Sequence, residues 1–403
     1  MTKECIDFVN LHRDEDTARL LLSAARYPNI DMATAVNQIE GLKMAAVKWP
    51  SLLQHEGFEY PPRLNREQAS SEATARYKAS LLSTLHSPLS TLADLTGGMG
   101  IDSLAFAAAG FSVDYVERDP QLCDLMRHNA EAIHNNPNAQ IPPIAVHCAD
   151  CIEWLTASSR IFDVIFLDPA RRAASGRKVS AFEDCQPDIL RCLDLLRSHC
   201  RWLMVKASPM IDIDLAIEQL GAVAQVHVVA LKGECKEVLF ICGDDAKSEP
   251  IIHCVDLKDS KDLNAFVFTR SEELGAQPAF CVAVKKYLYE PNAALMKGGC
   301  FSLVATRFGL EKLAPNTHLY TSGSMVTDFP GRVFEVQQEV ALSRKALSRL
   351  LPEGKASVTV RNYPDEAAVL QRRLGLKEGG DFVVVAATVG RRPTGFLCRR
   401  LPH

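Results

Sequence analysis

"DLTGGMGID", Asp94 to Asp102, places three glycines in four positions directly after the run Leu89 to Leu95 and brackets them with two carboxylates. A glycine-rich turn at a strand end lets a ligand reach the backbone without meeting a Cβ. In open α/β sheets such ligands bind beyond the carboxyl ends of the strands. The dinucleotide pattern G-x-G-x-x-G cradles a pyrophosphate on a helix N-terminus. Here Gly98 and Gly100 are followed by Ser103, so the third glycine is missing. Asp94 precedes the turn, where its charge repels a pyrophosphate and suits a ligand bearing an ammonium or sulfonium group. Asp102 reads as the cap of the helix that begins at "DSLAFA".

Outward from this turn, residues 89–245 alternate β-rich runs with helical stretches. "PLSTLADL", "FSVDYVE", "PIAVHC", "FDVIFLD", "RWLMVKAS", "AQVHVVAL" and "EVLFICG" predict seven strands. "DSLAFAAAG", "PQLCDLMRHNAEAIHNN" and "DCQPDILRCLDLLRSH" predict helices between them. Alternation of this kind predicts an α/β fold, a parallel sheet with helices on both faces. The last two runs lack an intervening helix and read as a hairpin that gives the sheet an antiparallel edge.

Residues 1–88 read as an N-terminal helical domain. "DTARLLLSAARYP", "MATAVNQIEGLKMAAVKWP" and "SSEATARYKASLLSTL" carry apolar residues at helical spacings, with Ser70 or Ser71 capping the last. Residues 250–340 read as an α+β domain, with a ferredoxin-like arrangement as one reading. Its strands are "IIHCVDL", "AFVFTR", "CFSLVAT" and "HLYTS", and its short helix is "NAALMKGG". Residues 341–403 form a further small α+β module.

The chain has 403 residues, more than one core usually organises. Its 47% hydrophobic and 23% charged content is that of a folded protein. No run of about 18 apolar residues is present, and "MTKECIDFVNLHRDEDTARLLL" has acids where a signal peptide needs a basic flank, so a cytoplasmic location is expected. Thirteen cysteines without a framework pattern fit reduced thiols. Cys148 and Cys151 in "HCADC" lack the second pair that a four-ligand zinc site needs, and no metal is expected. The net charge of −4 hides an asymmetry: Ala341 to His403 carries twelve Lys and Arg against five Asp and Glu, +7, leaving −11 on the rest. A basic module on an acidic body points to a polyanion partner; the plainer reading is a solvated basic face.

Two more carboxylates stand at strand ends. Glu117 closes "VDYVE" about twenty residues past the glycines, where an acid receives ribose hydroxyls. Asp150 follows the third strand, where an acid can accept the amino group of adenine. Surface acids after strands are common, so it is their order and spacing that carries weight. A nucleoside joined to an amino-acid end through a cationic sulfur is S-adenosylmethionine.

"DLTGGMGID", Glu117, Asp150 and "LDPARR" resemble, in that order, the motifs of class I S-adenosylmethionine-dependent methyltransferases. More narrowly, "SSEATARYKA", "DLTGGMGIDSLAFA", "LDPARR" and "YLYEPNAALMKGG" resemble a bacterial methyltransferase family with a THUMP-like C-terminal domain, over almost the whole chain. The resemblance implies a Rossmann-like seven-stranded sheet over 89–245, a THUMP-like domain over 341–403, S-adenosylmethionine as cofactor and a structured RNA substrate, tRNA or rRNA. The cofactor-binding candidates are Asp94, Thr96, Gly97, Gly98, Met99, Gly100, Glu117, Asp150 and Cys151. Thr74, Tyr77 and Lys78 join them, because in several methyltransferases the segment before the first strand folds over the methionine end; the plainer reading is a helix packed on the sheet.

Enzymes that methylate exocyclic amines carry Asn/Asp/Ser-Pro-Pro-aromatic at the place of "DPARR". Asp168 and Pro169 keep the hydrogen-bond acceptor, while Ala170 and Arg171 stand in place of the second proline and the stacking aromatic. Arg171 can stack on a base, grip a phosphate or pair with an acid. Methylation at pyrimidine C5 needs a cysteine nucleophile, yet the next strand runs into "KASPMID", with Ser208. Asp168, Pro169 and Arg171 are therefore the catalytic candidates for transfer to a base nitrogen, with Asp168 taking a proton. Lys206 reads as a substrate contact or as simply solvated. The RNA-binding candidates are Arg361, Arg372, Arg373, Lys377, Arg391 and Arg392. Few aromatics interleave with them, which speaks against single-strand stacking. Two other readings are a non-catalytic RNA-binding protein with a methyltransferase fold and an NAD-dependent oxidoreductase; Asp94 and "LDPARR" speak against the second. A protein or small-molecule acceptor stays open as well, because a fold does not determine its substrate.

Overall fold

The computed structural model describes residues 1–85, 89–136, 141–171, 182, 185–243, 249–257 and 265–401, with Arg171 described by its backbone alone. The chain forms two compact units, Met1–Ala224 with Leu239–Ala246, and Gln225–Val238 with Lys247–His403.

The first unit begins with helices Lys3–His12, Thr17–Leu22, Met32–Lys48, Arg63–Gln68 and Glu72–Leu82. Four start where a Thr, Asp or Ser side chain accepts a first-turn N–H: Thr2, Asp16, Asp31 and Ser71. Phe8, Val9, Leu20, Ala35 and Ile39 form one apolar core among them. Then come β1 (Thr91–Asp94), β2 (Ser112–Glu117), β3 (Ile144–Cys148), β4 (Phe162–Leu167), the two-residue β5 (Ala170–Arg171) and β6 (Cys185–Gln186), and β7 (Cys200–Ala207). Among the described residues, β5 and β6 pair only with each other. The strand order β7-β4-β1-β2-β3 is parallel throughout. β1 lies between β2 and β4, so the chain reverses its direction of travel across the sheet there, the place where an open α/β sheet leaves a crevice. The carboxyl ends of β1 to β4 point to that crevice, which brings Asp94, Glu117, Asp150 and Asp168 to one side. Helix Ile101–Ala108 starts from Gly100, whose φ is +81°, so Asp102 lies in its first turn and is not its cap.

β8 (Val223–Leu231) and β9 (Glu234–Gly243) follow, with β9 next to β7. In the second unit the hairpin turns at Lys232 and Gly233, φ +54° and +80°, the left-handed conformations of a tight two-residue turn. The hairpin is not the sheet edge that the sequence predicts. β10 (Ile251–Leu257) pairs with β8 in parallel, and β11 (Ala265–Phe268) pairs with β10 antiparallel. An outer strand offers a row of unpaired backbone groups, and the run "IIHCVDL" satisfies them.

A second sheet has the order β13-β14-β12-β15-β18-β17-β16. Its members are β12 (Tyr287–Pro291), β13 (Glu311–Ala314), β14 (Thr317–Ser322), β15 (Gly331–Val340), β16 (Ser357–Arg361), β17 (Phe382–Val389) and β18 (Arg392–Arg400). The sheet curls until its two ends meet: Gly390 N–H donates to Leu313 C=O (2.8 Å), and Asn362 Nδ2 donates to Thr317 Oγ1 (3.1 Å). "CFSLVAT", expected as a strand, is the helix Phe301–Arg307. The cause is not local: Glu273, nearly thirty residues upstream, accepts the Ser302 and Leu303 N–H groups (2.8 Å each) and satisfies a helix start that has no side-chain cap of its own. Glu273→Ala is expected to lower the unfolding free energy by about 1–2 kcal/mol in urea titrations. A change below about 0.3 kcal/mol would mean that water replaces the carboxylate at no cost.

Candidate active site

The glycine turn is held from several sides. Gly98 N–H donates to Glu117 Oε2 (2.9 Å), and the Tyr115 hydroxyl donates to Gly98 C=O (2.6 Å). Burial and the neighbouring Glu117 push the Tyr115 phenol up, so it stays a proton donor. Glu117 Oε1 accepts Arg118 and Asp119 N–H (2.8 and 3.0 Å), which locks the carboxylate in place. The three glycines have different reasons to be glycine. A Cβ on Gly97 would lie 2.2 Å from the Tyr115 ring, and one on Gly100 would lie 2.5 Å from Met126 Sδ. A Cβ on Gly98, φ +55°, would meet only Thr96 C=O at 3.8 Å, an ordinary contact. Two of the glycines thus allow close packing, and Gly98 alone keeps the backbone bare toward the cavity.

That cavity, about 520 Å³, is of the size that encloses a nucleoside-sized ligand. Asp94, Thr96, Gly97, Gly98, Met99, Gly100, Glu117, Asp150, Cys151 and Asp168 all line it, so ten of the sequence-nominated residues meet in one place. Asp150 caps helix Cys151–Ala157, accepting Ile152 and Glu153 N–H through Oδ1 (2.9 and 3.2 Å). Asp168 N–H donates to Thr96 Oγ1 (2.7 Å), which ties the end of β4 to the turn. The donor set suits a cationic nucleoside: carboxylates from four strand ends and a bare peptide, against one basic side chain, Arg118, among the described lining residues.

Asp94 is 1% exposed. The Ser103 hydroxyl donates to its Oδ2 (2.6 Å) and Thr96 N–H to its Oδ1 (3.1 Å). Loss of water outweighs both bonds, and with Asp102 and Asp168 nearby the carboxyl is pushed up to about 7. The carboxyl is thus poised to ionise when a cationic partner arrives.

A chain of polar groups runs from the leader along the cavity wall. Lys78, fully buried, pairs with Asp102 Oδ1 (3.2 Å) and donates to Ser70 Oγ (3.2 Å). Ser70 donates to Asp102 Oδ2 (2.7 Å) and also lies 3.4 Å from Lys206 Nζ. Lys206 is hydrogen-bonded and ion-paired to Asp168. The reading of Lys206 as a solvated strand end is therefore corrected: its side chain is 12% exposed. From the leader, Asn65, Gln68, Ala69 and Ser70 line the cavity. Thr74, Tyr77 and Lys78 do not; they are buried one layer back, where Thr74 N–H donates to its cap Ser71. Pro169 is also absent from the lining, and the Arg171 side chain lies outside the described residues. Sequence reasoning missed Asp119, Gln186 and Asp188 in the lining. Asp119 and Asp188 cap helices, and that capping pattern was the signal available.

Among the basic-tail candidates, Arg372, Lys377, Arg391 and Arg392 are exposed, with Arg392 lying 3.5 Å from Glu339. Arg373 pairs with Asp365 (2.6 Å), and Arg361 pairs with the buried Glu290 (2.5 Å). Among the described residues no group of three metal-ligating side chains is close enough to hold an ion, and no helix is long and apolar enough to cross a membrane.

Binding of a sulfonium or ammonium ligand beside Asp94 should draw the carboxyl into its charged form and release about half a proton at pH 7. Calorimetry with S-adenosylmethionine in buffers of different ionisation enthalpy measures this, and affinity should rise with pH through about 7. The same shift carries a stability cost. The folded form binds an extra proton between the unfolded value of about 3.9 and the folded value, so stability falls as pH rises across that window. Asp94→Asn should flatten both profiles; an unchanged pH dependence of binding would show that another group carries it.

Comparison with known proteins identifies three segments. Residues 63–179 match the family described as "Putative SAM-dependent methyltransferase", residues 287–330 a ferredoxin-like domain, and residues 331–400 a THUMP domain-like family. A crystal structure from Porphyromonas gingivalis W83, described as a "putative methyltransferase", is 30% identical, with 99% of this chain and 98% of that chain covered at a TM-score of 0.84. Ribosomal RNA small subunit methyltransferase J of Hydrogenovibrio crunogenus is 29% identical over 110 residues, 25% of this chain and 40% of that protein. Its namesake from Bdellovibrio bacteriovorus is 36% identical over 78 residues, 19% of this chain and 30% of that protein. The chain thus spans less than half the length of these curated relatives. Identity sustained over nearly the full length of the Porphyromonas protein, together with the methyltransferase and THUMP-like matches, places this chain in the family of S-adenosylmethionine-dependent methyltransferases that carry a THUMP-like C-terminal domain.

Proposed function

We propose that the protein methylates a base nitrogen of a structured RNA, tRNA or rRNA, in the cytoplasm. The observation that carries this reading is Asp168 lining the same cavity as Asp94, Glu117 and Asp150, with Lys206 bound to its carboxylate. In this reading Asp94 pairs with the ammonium or sulfonium of the cofactor, Glu117 accepts ribose hydroxyls and Asp150 accepts the adenine amino group. When bound, S-adenosylmethionine supplies an electrophilic methyl group. Asp168 accepts a hydrogen of the acceptor amine and takes its proton, and Lys206 fixes the carboxylate in the required orientation. Pro169 and Arg171 belong to the same proposed acceptor side.

Support for nitrogen over pyrimidine C5 comes from Cys151. It is the one cysteine among the described cavity residues, and burial pushes its thiol up to about 12. A thiol that stays protonated at pH 7 is a poor nucleophile. Support for RNA comes from the names of the curated relatives, the THUMP-like match and the exposed Arg372, Lys377, Arg391 and Arg392.

The test is a comparison of nucleosides by mass spectrometry in RNA from a deletion strain and its parent. One methylated nucleoside should be missing, and purified protein should restore it with labelled S-adenosylmethionine. Asp168→Ala should lower incorporation by about 10²-fold or more while cofactor affinity is kept. Identical nucleoside profiles, with no methyl incorporation into deletion-strain RNA, would sink the proposal.

A further inference from the structure

The second unit holds a cavity of about 700 Å³ that the methyltransferase reading leaves unused. Its lining includes Asp256, Asn292, Lys297, Arg332 and Arg361. Beside it, on β12, Glu290 is 1% exposed and is ion-paired to two guanidiniums, Arg332 Nη2 at 2.5 Å from Oε2 and Arg361 Nη2 at 2.5 Å from Oε1, while neither carboxylate oxygen has a hydrogen bond among the described residues. The first contact is set by register, because Glu290 and Arg332 are partners across β12 and β15. Gly331 permits it: a Cβ there would lie 2.1 Å from Glu290 C=O, so any other residue would push the strands apart. The second contact is set by the curl of the sheet, which returns the end of β16 to β12.

A single carboxylate between two arginines orients them without neutralising them. Each guanidinium has five N–H donors in a planar fork. Arg332 and Arg361 remain 49% and 34% exposed, and Arg361 Nε has no hydrogen-bond partner among the described residues. Counting Arg332, Arg361 and Lys297 against Glu290 and Asp256, the lining and its clamp carry one net positive charge. The half-buried imidazole of His318 is pushed down to about 4, chiefly by burial and then by Lys312 and Arg361.

We propose that this cavity is a phosphate-binding site that seats a phosphodiester of an RNA strand. Planar forks held by a buried acid match phosphate geometry, and one net positive charge matches the single charge of a phosphodiester. The choice of RNA over a free nucleotide rests on the RNA reading above; the phosphate chemistry does not.

The test uses the full chain. Binding of a short RNA hairpin with single-stranded ends is measured by fluorescence anisotropy across a salt series, with UMP and inorganic phosphate as competitors and S-adenosylmethionine affinity measured in parallel. Lys297→Ala and Arg332→Lys should each weaken RNA binding about tenfold and leave cofactor affinity unchanged. Lys297→Ala should also reduce the salt slope by about 0.7, the value for one phosphate contact on a single strand. UMP at millimolar concentration should compete with RNA for wild type but not for the variants. RNA affinity and salt slope equal to wild type in both variants overturn the site, and a fall in melting temperature of Arg332→Lys alone would then mark a structural ion pair. If wild type binds UMP and not RNA, and both variants lose UMP, the phosphate site stands and the RNA reading fails.

Discussion

Asp94 sits at the end of the central strand with almost no exposure, both oxygens occupied by Ser103 and Thr96, and still holds its proton near neutral pH because water has been removed. A carboxylate in that state is costly unless a cation arrives. Everything around it is arranged so that one can. Glu117 and Tyr115 hold the glycine turn open from β2, and Thr96 reaches across to the backbone of Asp168 on the other side of β1. The parallel sheet matters to function because it delivers these groups from neighbouring strand ends to a single crevice.

The leader takes part through charge rather than through a lid of side chains over the cavity. Lys78 is fully buried and Lys206 nearly so, and Ser70 stands between them with Asp102 and Asp168 as the compensating acids. Buried ions persist only when paired and hydrogen-bonded. Movement of the leader would leave Asp102 buried without Lys78, which makes the helix Glu72–Leu82 part of the cavity's foundation.

In the second unit a curled seven-stranded sheet does what strand order alone does not. β12 and β16 are separated by three strands in that order, yet Arg361 meets Glu290 because the sheet ends close on each other. An arginine of the basic tail thereby becomes part of a cavity shared with the ferredoxin-like segment.

The strand runs from Leu89 to Gly243 were legible because each is a short β-rich stretch bounded by turns and alternating with helices, and the cavity's ten nominated residues were legible because strand-end positions in a parallel sheet are fixed by topology. "CFSLVAT" was misread because seven residues do not separate a helical from a strand period, and its start depends on Glu273 far away in sequence. β15, "GRVFEVQQEV", was not predicted because its second half is exposed and polar and its partners are β12 and β18. In "DLTGGMGID" and beyond it, the sequence by itself determined the glycine turn, the acid before it and the order of the acids that follow, since these depend on local chain geometry and spacing. Only the tertiary structure decided that Gly97 and Gly100 serve packing, that Asp102 answers Lys78 instead of capping its helix, and that Lys206 holds Asp168. Those roles depend on which groups are brought together once water is excluded, and no local pattern carries that information.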